Sequence, residues 1–298
     1  MLFRQVVAIQ YFDLHADTLY RITTENLHTN SVELAVTPEK SEVFEKYSQI
    51  MAVWVPDNIR GIAAFDFFKK CVDVYQRQYK PLEHSGRRFF LSVENGSVIA
   101  GDISKIRQLS EYGVCVVTIV YNEDNELGSG AFSDSKFGLT PKGKEALKEY
   151  ENHKITVDLS HSSLRTFYDV AEISQKPIIA THSNSYALCP HKRNITDEQF
   201  SIIKASGGIV GVNFYPPFLN STPEKATITD VLKHIEHFLS LGGEDVVAIG
   251  SDFDGCDPLP ELDRLDKLPL LYENLLKLNY NEQLVQKILY TNAHNFFT

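Results

Sequence analysis

Eight short apolar runs, separated by longer polar stretches of helical periodicity, constrain the fold of this chain more than any other feature. The runs are Val6–Ile9, Ile50–Val55, Phe89–Val93, Val114–Val120, Ile155–Leu159, Pro177–Ala180, Ile209–Phe214 and Val246–Ile249. Between them lie amphipathic segments, among them Ala64–Tyr79, Ile103–Tyr112, Gly143–His153, Leu164–Gln175, Asp197–Ser206, Ile228–Leu241 and Asn281–Leu289. Ser163, Thr196 and Thr227 stand where helix N-caps are expected. Strands that are apolar throughout need cover on both faces, which a parallel sheet flanked by helices supplies. Eight such units in 298 residues predict an α/β fold, a single (β/α)8 barrel over residues 1–298. The competing doubly wound open sheet is disfavoured, because no Gly-x-Gly-x-x-Gly follows any run.

Polar residues recur just after the runs, at the carboxyl ends that a barrel gathers at one mouth. The first run is followed by His15 and Asp17, in Tyr11-Phe-Asp-Leu-His-Ala-Asp-Thr18, and residues two apart on a strand share a face. Then come Glu94 after the third run, Tyr121 and Asn122 after the fourth, His161 after the fifth and His182 after the sixth. Asn213 and Tyr215 follow the seventh, and Asp252 and Asp254 the eighth. Each alone has an ordinary explanation as a cap, a turn acceptor or a core histidine. Together, three imidazoles and several carboxylates at one rim would be costly to bury without compensation, by several kcal/mol each. One cation, or two sharing a carboxylate, relieves that cost. The ligand types suit zinc, with manganese, cobalt or iron as alternatives. Paired cations activate a water and favour hydrolysis at carbonyl or phosphoryl centres.

Other partner classes are excluded or left without support. Net charge is −10 with no basic stripe, which argues against nucleic acid. No window approaches the roughly 20 apolar residues of a membrane span. The opening Met1-Leu-Phe-Arg-Gln5 lacks the pattern of a secretory signal. Cys71, Cys115, Cys189 and Cys256 are scattered with no Cys-x-x-Cys, so free thiols and a cytoplasmic location are expected. Cys256 reads as a loop thiol, and His234 and His237 as part of a solvated helix face.

The motifs, in order, resemble those of the membrane dipeptidase (renal dipeptidase) family, peptidase family M19, of the metal-dependent hydrolase (amidohydrolase) superfamily. They are Asp13-Leu-His-Ala-Asp-Thr18, Val93-Glu94, Val157-Asp-Leu-Ser-His-Ser162, Ala180-Thr-His-Ser183, Tyr186-Ala-Leu-Cys-Pro-His-Lys-Arg-Asn194, Gly208-Ile-Val-Gly-Val-Asn-Phe-Tyr215 and Ile249-Gly-Ser-Asp-Phe-Asp-Gly255. The resemblance implies a binuclear zinc dipeptidase with a (β/α)8 fold, possible homodimerisation and tolerance of a C-terminal D-residue. It implies that His15 and Asp17 hold one zinc, His161 and His182 the other, and that Glu94 bridges them. Arg193 would grip the C-terminal carboxylate of the dipeptide, with Tyr215 nearby, and Asp252 would serve as acid and base beside a bridging hydroxide. The chain departs from mammalian members at Tyr121, where those have a histidine that polarises the substrate carbonyl. An aromatic residue followed by asparagine is similar to microbial members, and the phenol of Tyr121 would supply one hydrogen bond instead. Asn95 stands where glycine is usual.

Two alternatives stay open on the sequence. One is another hydrolase of the same superfamily. Many of those bridge their metals with a carbamylated lysine after the fourth strand, but no lysine follows Val114–Val120, and Lys154 precedes the fifth run. The other is a metal-binding homologue without catalysis, which Tyr121 keeps open.

Overall fold

In the computed structural model, which describes residues 8–84, 86–135 and 137–298, seven parallel strands share one sheet. They are β1 (Gln10–Ala16), β2 (Lys46–Trp54), β3 (Arg87–Glu94), β4 (Val114–Thr118), β5 (Thr156–Asp158), β6 (Val210–Val212) and β7 (Val247–Ile249). Their order is β5-β4-β3-β2-β1-β7-β6. The run expected as the sixth strand forms no regular strand, yet it closes the ring. Ile179 bridges Asp158 of β5, and Ala180 bridges Val210 of β6, both in parallel. Residues 179–180 are thus an eighth stave, and the α/β barrel is complete.

That stave is short for a local reason. The Asp158 carboxylate accepts the Thr181 N–H at 2.9 Å and the Ser160 N–H at 3.0 Å, so a side chain replaces the carbonyls of a ladder. Two neighbouring glycines allow the close approach. A Cβ on Gly211 or Gly250 would lie 1.9 or 1.7 Å from the Thr181 carbonyl oxygen.

The first strand lies later than its apolar run suggests. It covers Gln10–Ala16, not Val6–Ile9, whose first two residues, like the Met1–Gln5 opening, lie outside the described residues. The extended segment therefore includes His15 rather than ending before it. Helix caps follow the sequence more closely. Ser163 accepts the Thr166 N–H at 3.1 Å, and Thr196 pairs with Gln199 in a capping box. The helix expected over Ala64–Tyr79 is α-helical over Ile62–Val74 and continues as a wider turn over Tyr75–Tyr79.

Alternate strand residues fill the barrel. Phe12, Leu14, Ile50, Val116, Ile179, Ile209 and Ala248 form an interior cluster, floored by Tyr290, Ala293, Phe296 and Phe297 from the C-terminal segment. A plugged amino end leaves the carboxyl end of the staves open for chemistry. Among the described residues no helix is long and apolar enough to cross a membrane. His234 is buried rather than solvated: its Nδ1 accepts the Ser185 N–H and its Nε2 donates to the Leu219 carbonyl, both at 3.0 Å.

Candidate metal centre and substrate cavity

Strict strand alternation delivers some rim residues and not others. On β3 the interior phase that contains Phe90 continues to Glu94, whose carboxylate is buried. On β1, Phe12 and Leu14 point inward, so His15 would point outward in the same phase. The register prevents this. Asp13 pairs with Gln49 and Ala16 with Met51, so three steps on β1 match two on β2. Such a slip re-aims the side chains beyond it. Asp13 sits at the slip and accepts the N–H groups of His15 at 3.1 Å and Ser251 at 3.0 Å. His161 and Asp252 reach the rim with left-handed backbones, φ 67° and 65°. Non-glycine residues adopt such angles at a cost of about 1–3 kcal/mol, usually where function holds them.

The six groups converge. His15 Nε2 lies 3.4 Å from Asp17 Oδ2, 3.7 Å from Glu94 Oε2 and 4.0 Å from Asp252 Oδ1. On the other side of the same carboxylate, Glu94 Oε1 lies 2.8 Å from His161 Nε2 and 3.6 Å from His182 Nε2. Glu94 thus turns one oxygen toward His15 and the other toward His161 and His182, and the His182 ring itself lies 3.9 Å from that of His15. The ligand atoms of His15, Glu94 and His182 lie within 4.8 Å of one another, as do those of His15, Asp17 and Asp252. Asp254 is not part of this group. Its carboxylate accepts from Thr18 Oγ1 at 2.6 Å, Arg21 Nη1 at 3.2 Å and the Ala35 N–H at 2.8 Å, which fixes the loop beneath the rim. Gly255 leaves room for the carboxylates, since a Cβ there would meet Asp17 Oδ2 at 2.0 Å.

Protonation patterns test whether cations fit. His161 Nδ1 meets Asn122 Oδ1 at 2.9 Å, an acceptor, so Nδ1 carries the proton and Nε2 a lone pair. Thr181 Oγ1 donates to Asp158 Oδ2 at 2.7 Å and so accepts from His182 Nδ1 at 2.8 Å. His182 Nε2 is then also a bare lone pair, and the two Nε2 atoms face each other at 2.9 Å. Lone pairs at that separation repel unless an electrophile lies beside them. Among the described residues, His15 Nε2 and Asp17 Oδ1 are buried with no hydrogen-bond partner. Burial, with Asp17 adding to it, pushes the Glu94 carboxyl up to about 8, and burial raises Asp17. Burial alone would lower His15, yet the Asp17 and Glu94 carboxylates hold it well above its ordinary value. His161 and His182 are pushed well down by burial, and by the charges of Arg193 and His15. Nitrogen lone pairs, crowded carboxylates and orphaned atoms together fit divalent cations.

A cavity of about 1060 Å³ opens above this centre. Its floor includes Asp17, Glu94, His161 and Asp252, and Tyr121, Arg193 and Tyr215 line it too. Arg193 is buried; its Nη2 donates to the His182 carbonyl at 3.3 Å, and its Nε and Nη1 have no partner among the described residues. Its guanidinium lies over the Phe218 ring at 5.4 Å. Asn213 donates through Nδ2 to Asp252 Oδ2 at 3.0 Å, and its Oδ1 accepts the Tyr215 N–H. Cys256, expected as a loop thiol, lines the cavity and donates to the Asp252 carbonyl.

Several supporting residues escape the sequence reading. Asp158, inside a histidine motif, is the acceptor hub that holds Thr181, Ser160 and Thr118. Asn95 adopts φ 87°, which accounts for the glycine usual there. Its side chain ties the Val55 carbonyl, Asp57 and Asn125 together behind Glu94. Only the mismatch between asparagine and the expected glycine hinted at this latch.

A family model described as membrane dipeptidase (peptidase family M19) matches residues 68–297. An uncharacterized protein in the pqqA 5' region of Klebsiella pneumoniae is 34% identical over 209 residues, 67% of this chain and 77% of that protein. An uncharacterized dipeptidase of Schizosaccharomyces pombe is 32% identical over 224 residues, 70% of this chain. The match spans 55% of that longer relative. In structure, the chain is similar to a metallo peptidase from Rhodobacter sphaeroides liganded with a phosphinate mimic of the dipeptide L-Ala-D-Ala. Its TM-score is 0.89 at 24% identity, covering 97% of this chain and 98% of the other.

Proposed function

The chain belongs to the membrane dipeptidase family, peptidase family M19, and from that premise we propose that it hydrolyses dipeptides with two zinc ions. His15 and Asp17 would hold one ion, His161 and His182 the other, and Glu94 would bridge them. The observation that carries this reading is the placement of Glu94, with one oxygen toward His15 and the other toward the facing His161 and His182 nitrogens. Such a pair supplies an activated water and positive charge to oppose the developing oxyanion.

The remaining steps belong to this chain's own side chains. Arg193 offers its free Nε and Nη1 to the C-terminal carboxylate, a bidentate task that guanidinium suits. Asn213 holds Asp252 Oδ2, which leaves Oδ1 turned toward His15 and the reacting centre. Asp252 Oδ1 takes the proton of the attacking water and returns it to the departing amine. Tyr121 donates its hydroxyl to the scissile carbonyl oxygen. Burial, reinforced by Glu94, raises its phenol, so it stays a donor throughout. All four cysteines are free, in keeping with a cytoplasmic location.

Metal-loaded protein is expected to carry about two zinc equivalents and to cleave a panel of L-dipeptides, with loss of activity on chelation and recovery on adding zinc. Metal binding without cleavage of any dipeptide would contradict the dipeptidase reading. Arg193→Ala is expected to raise KM for free dipeptides by roughly 10–100-fold, the worth of a charged hydrogen-bond pair. C-terminally amidated dipeptides should be affected far less. Equal losses on acids and amides would remove Arg193 from carboxylate recognition.

A further inference from the structure

Every second stave around the ring carries an aspartate or asparagine near its carboxyl end whose Oδ1 accepts the N–H two residues on. Asp13 accepts from His15 at 3.1 Å, Asn95 from Ser97 at 3.1 Å, Asp158 from Ser160 at 3.0 Å and Asn213 from Tyr215 at 2.6 Å. They belong to β1, β3, β5 and β6, which alternate with the other staves. The remaining side-chain atom of each is engaged differently. Asp13 Oδ2 accepts from Tyr11, Asn95 Nδ2 donates to the Val55 carbonyl and to Asp57, and Asn213 Nδ2 donates to Asp252. Asp158 Oδ2 accepts the hydroxyls of Thr118 and Thr181, each at 2.7 Å. Among the described residues, only this last bond is passed on to an imidazole: Thr181 Oγ1 lies 2.8 Å from His182 Nδ1.

A hydroxyl has a single proton, so this chain has a direction. Asp158 Oδ1 takes two backbone N–H groups, from Ser160 and Thr181, and neither donor can reverse. Oδ2 is the end that takes hydroxyl protons. With its proton on Asp158, Thr181 Oγ1 can only accept from His182, and the ring must carry its own proton on Nδ1. Asp158, Thr181 and His182 are 0%, 1% and 1% exposed, so solvent supplies none of them with another partner. His161 has a looser arrangement. Its Nδ1 faces the Asn122 amide, a group that can present either a donor or an acceptor, whereas a carboxylate only accepts. The Nε2 atoms of the two rings are 2.9 Å apart, and a proton on either would fill the gap between them.

Resting on the zinc ligation set out above, we propose that Thr181 and Asp158 are positioning residues for His182. The direction of their hydrogen-bond chain, rather than the packing of the stave, keeps Nε2 bare for the zinc held with His161. Both residues act through the ring and handle no substrate. Partners one bond behind a metal ligand change metal affinity by about 10–100-fold when they are lost.

Variants of the full chain separate direction from packing. Thr181→Val keeps the shape and deletes the link, and Thr181→Ser restores the hydroxyl. Thr118→Val deletes the other hydroxyl on the same Oδ2 and leaves the chain to His182 intact. Asp158→Asn keeps the shape and reverses the chain. Its amide oxygen must stay on the Ser160 and Thr181 N–H groups, so its NH2 faces Thr181 Oγ1 and releases that hydroxyl proton toward His182 Nδ1. Zinc affinities are read by chelator competition. Thr181→Val and Asp158→Asn are expected to weaken one zinc by about 10–100-fold, with Thr181→Ser and Thr118→Val within about threefold of wild type. Nitrogen NMR of labelled histidines in the zinc-free protein should find the His182 proton on Nδ1 in wild type and on Nε2 in Asp158→Asn. Unchanged zinc affinities in Thr181→Val overturn the assignment, as does a loss in Thr118→Val equal to that in Thr181→Val, or a wild-type His182 proton on Nε2. Should Thr181→Val fail to fold, Asp158→Asn and its NMR signature carry the same decision. Wild type that binds no zinc yet shows the Nδ1 proton, reversed in Asp158→Asn, overturns the metal reading and leaves the chain standing.

Discussion

Asp252→Asn is expected to lower kcat by about 10²–10⁴-fold, the usual worth of a positioned acid and base, while both zinc equivalents stay bound. The substitution is chosen to change chemistry and little else. Asp252 has φ 65°, and asparagine tolerates that left-handed backbone better than most residues. Its amide oxygen can still accept from Asn213 Nδ2, as Asp252 Oδ2 does at 3.0 Å. What disappears is the second oxygen, the one 4.0 Å from His15 Nε2, as a site for a proton. Steady-state kinetics, elemental analysis and a thermal melt on the same preparation separate the possibilities. Turnover within tenfold of wild type would remove Asp252 from proton transfer. A fall in metal content would make it a ligand instead, which its place in the group with His15 and Asp17 makes worth measuring.

Glu94→Gln should have the largest effect on metal. The carboxylate faces His15 with one oxygen and His161 and His182 with the other, so its charge serves both clusters. An amide keeps one acceptor and turns an NH2 group toward nitrogen lone pairs on one side or toward Asp17 on the other. Zinc content is expected to fall from about two equivalents to below one, with activity down at least about 10³-fold, roughly 4 kcal/mol in transition-state terms. The melting temperature of the zinc-treated variant should approach that of chelated wild type, because a ligand that binds only the folded state stabilises it by mass action. Two equivalents retained at wild-type affinity would show that Glu94 is not shared.

Asn95 illustrates how a departure from pattern becomes legible only in three dimensions. At φ 87° glycine would be free of strain, yet the asparagine side chain ties the loops after β2 and β4 together behind Glu94. The sequence reading marks the position as unusual without saying what the side chain reaches. The same holds for Asp158, which a motif contains but whose role as acceptor for Thr181 needs the neighbouring stave in place. His234 fails in the other direction. A helix face that reads as solvated is covered by the segments that carry Ser185 and Leu219.

The barrel itself was written in local signals. Uninterrupted apolar runs cannot face water on either side, and eight of them alternating with capped amphipathic helices leave few ways to close a sheet. The gathering of these side chains at one rim was also legible, because polar groups at the end of a buried strand have no packing reason to recur stave after stave. What the chain order could not decide was aim. His15 turns to the centre through a one-residue slip against β2, and His161 and Asp252 through left-handed backbones. Asp254, two residues beyond Asp252, is bound by Thr18, Arg21 and Ala35 instead. Alternation along a strand is a property of one segment. Register slips, positive φ and hydrogen-bond partners are settled by contacts between segments far apart in sequence, and those exist only once the barrel has closed.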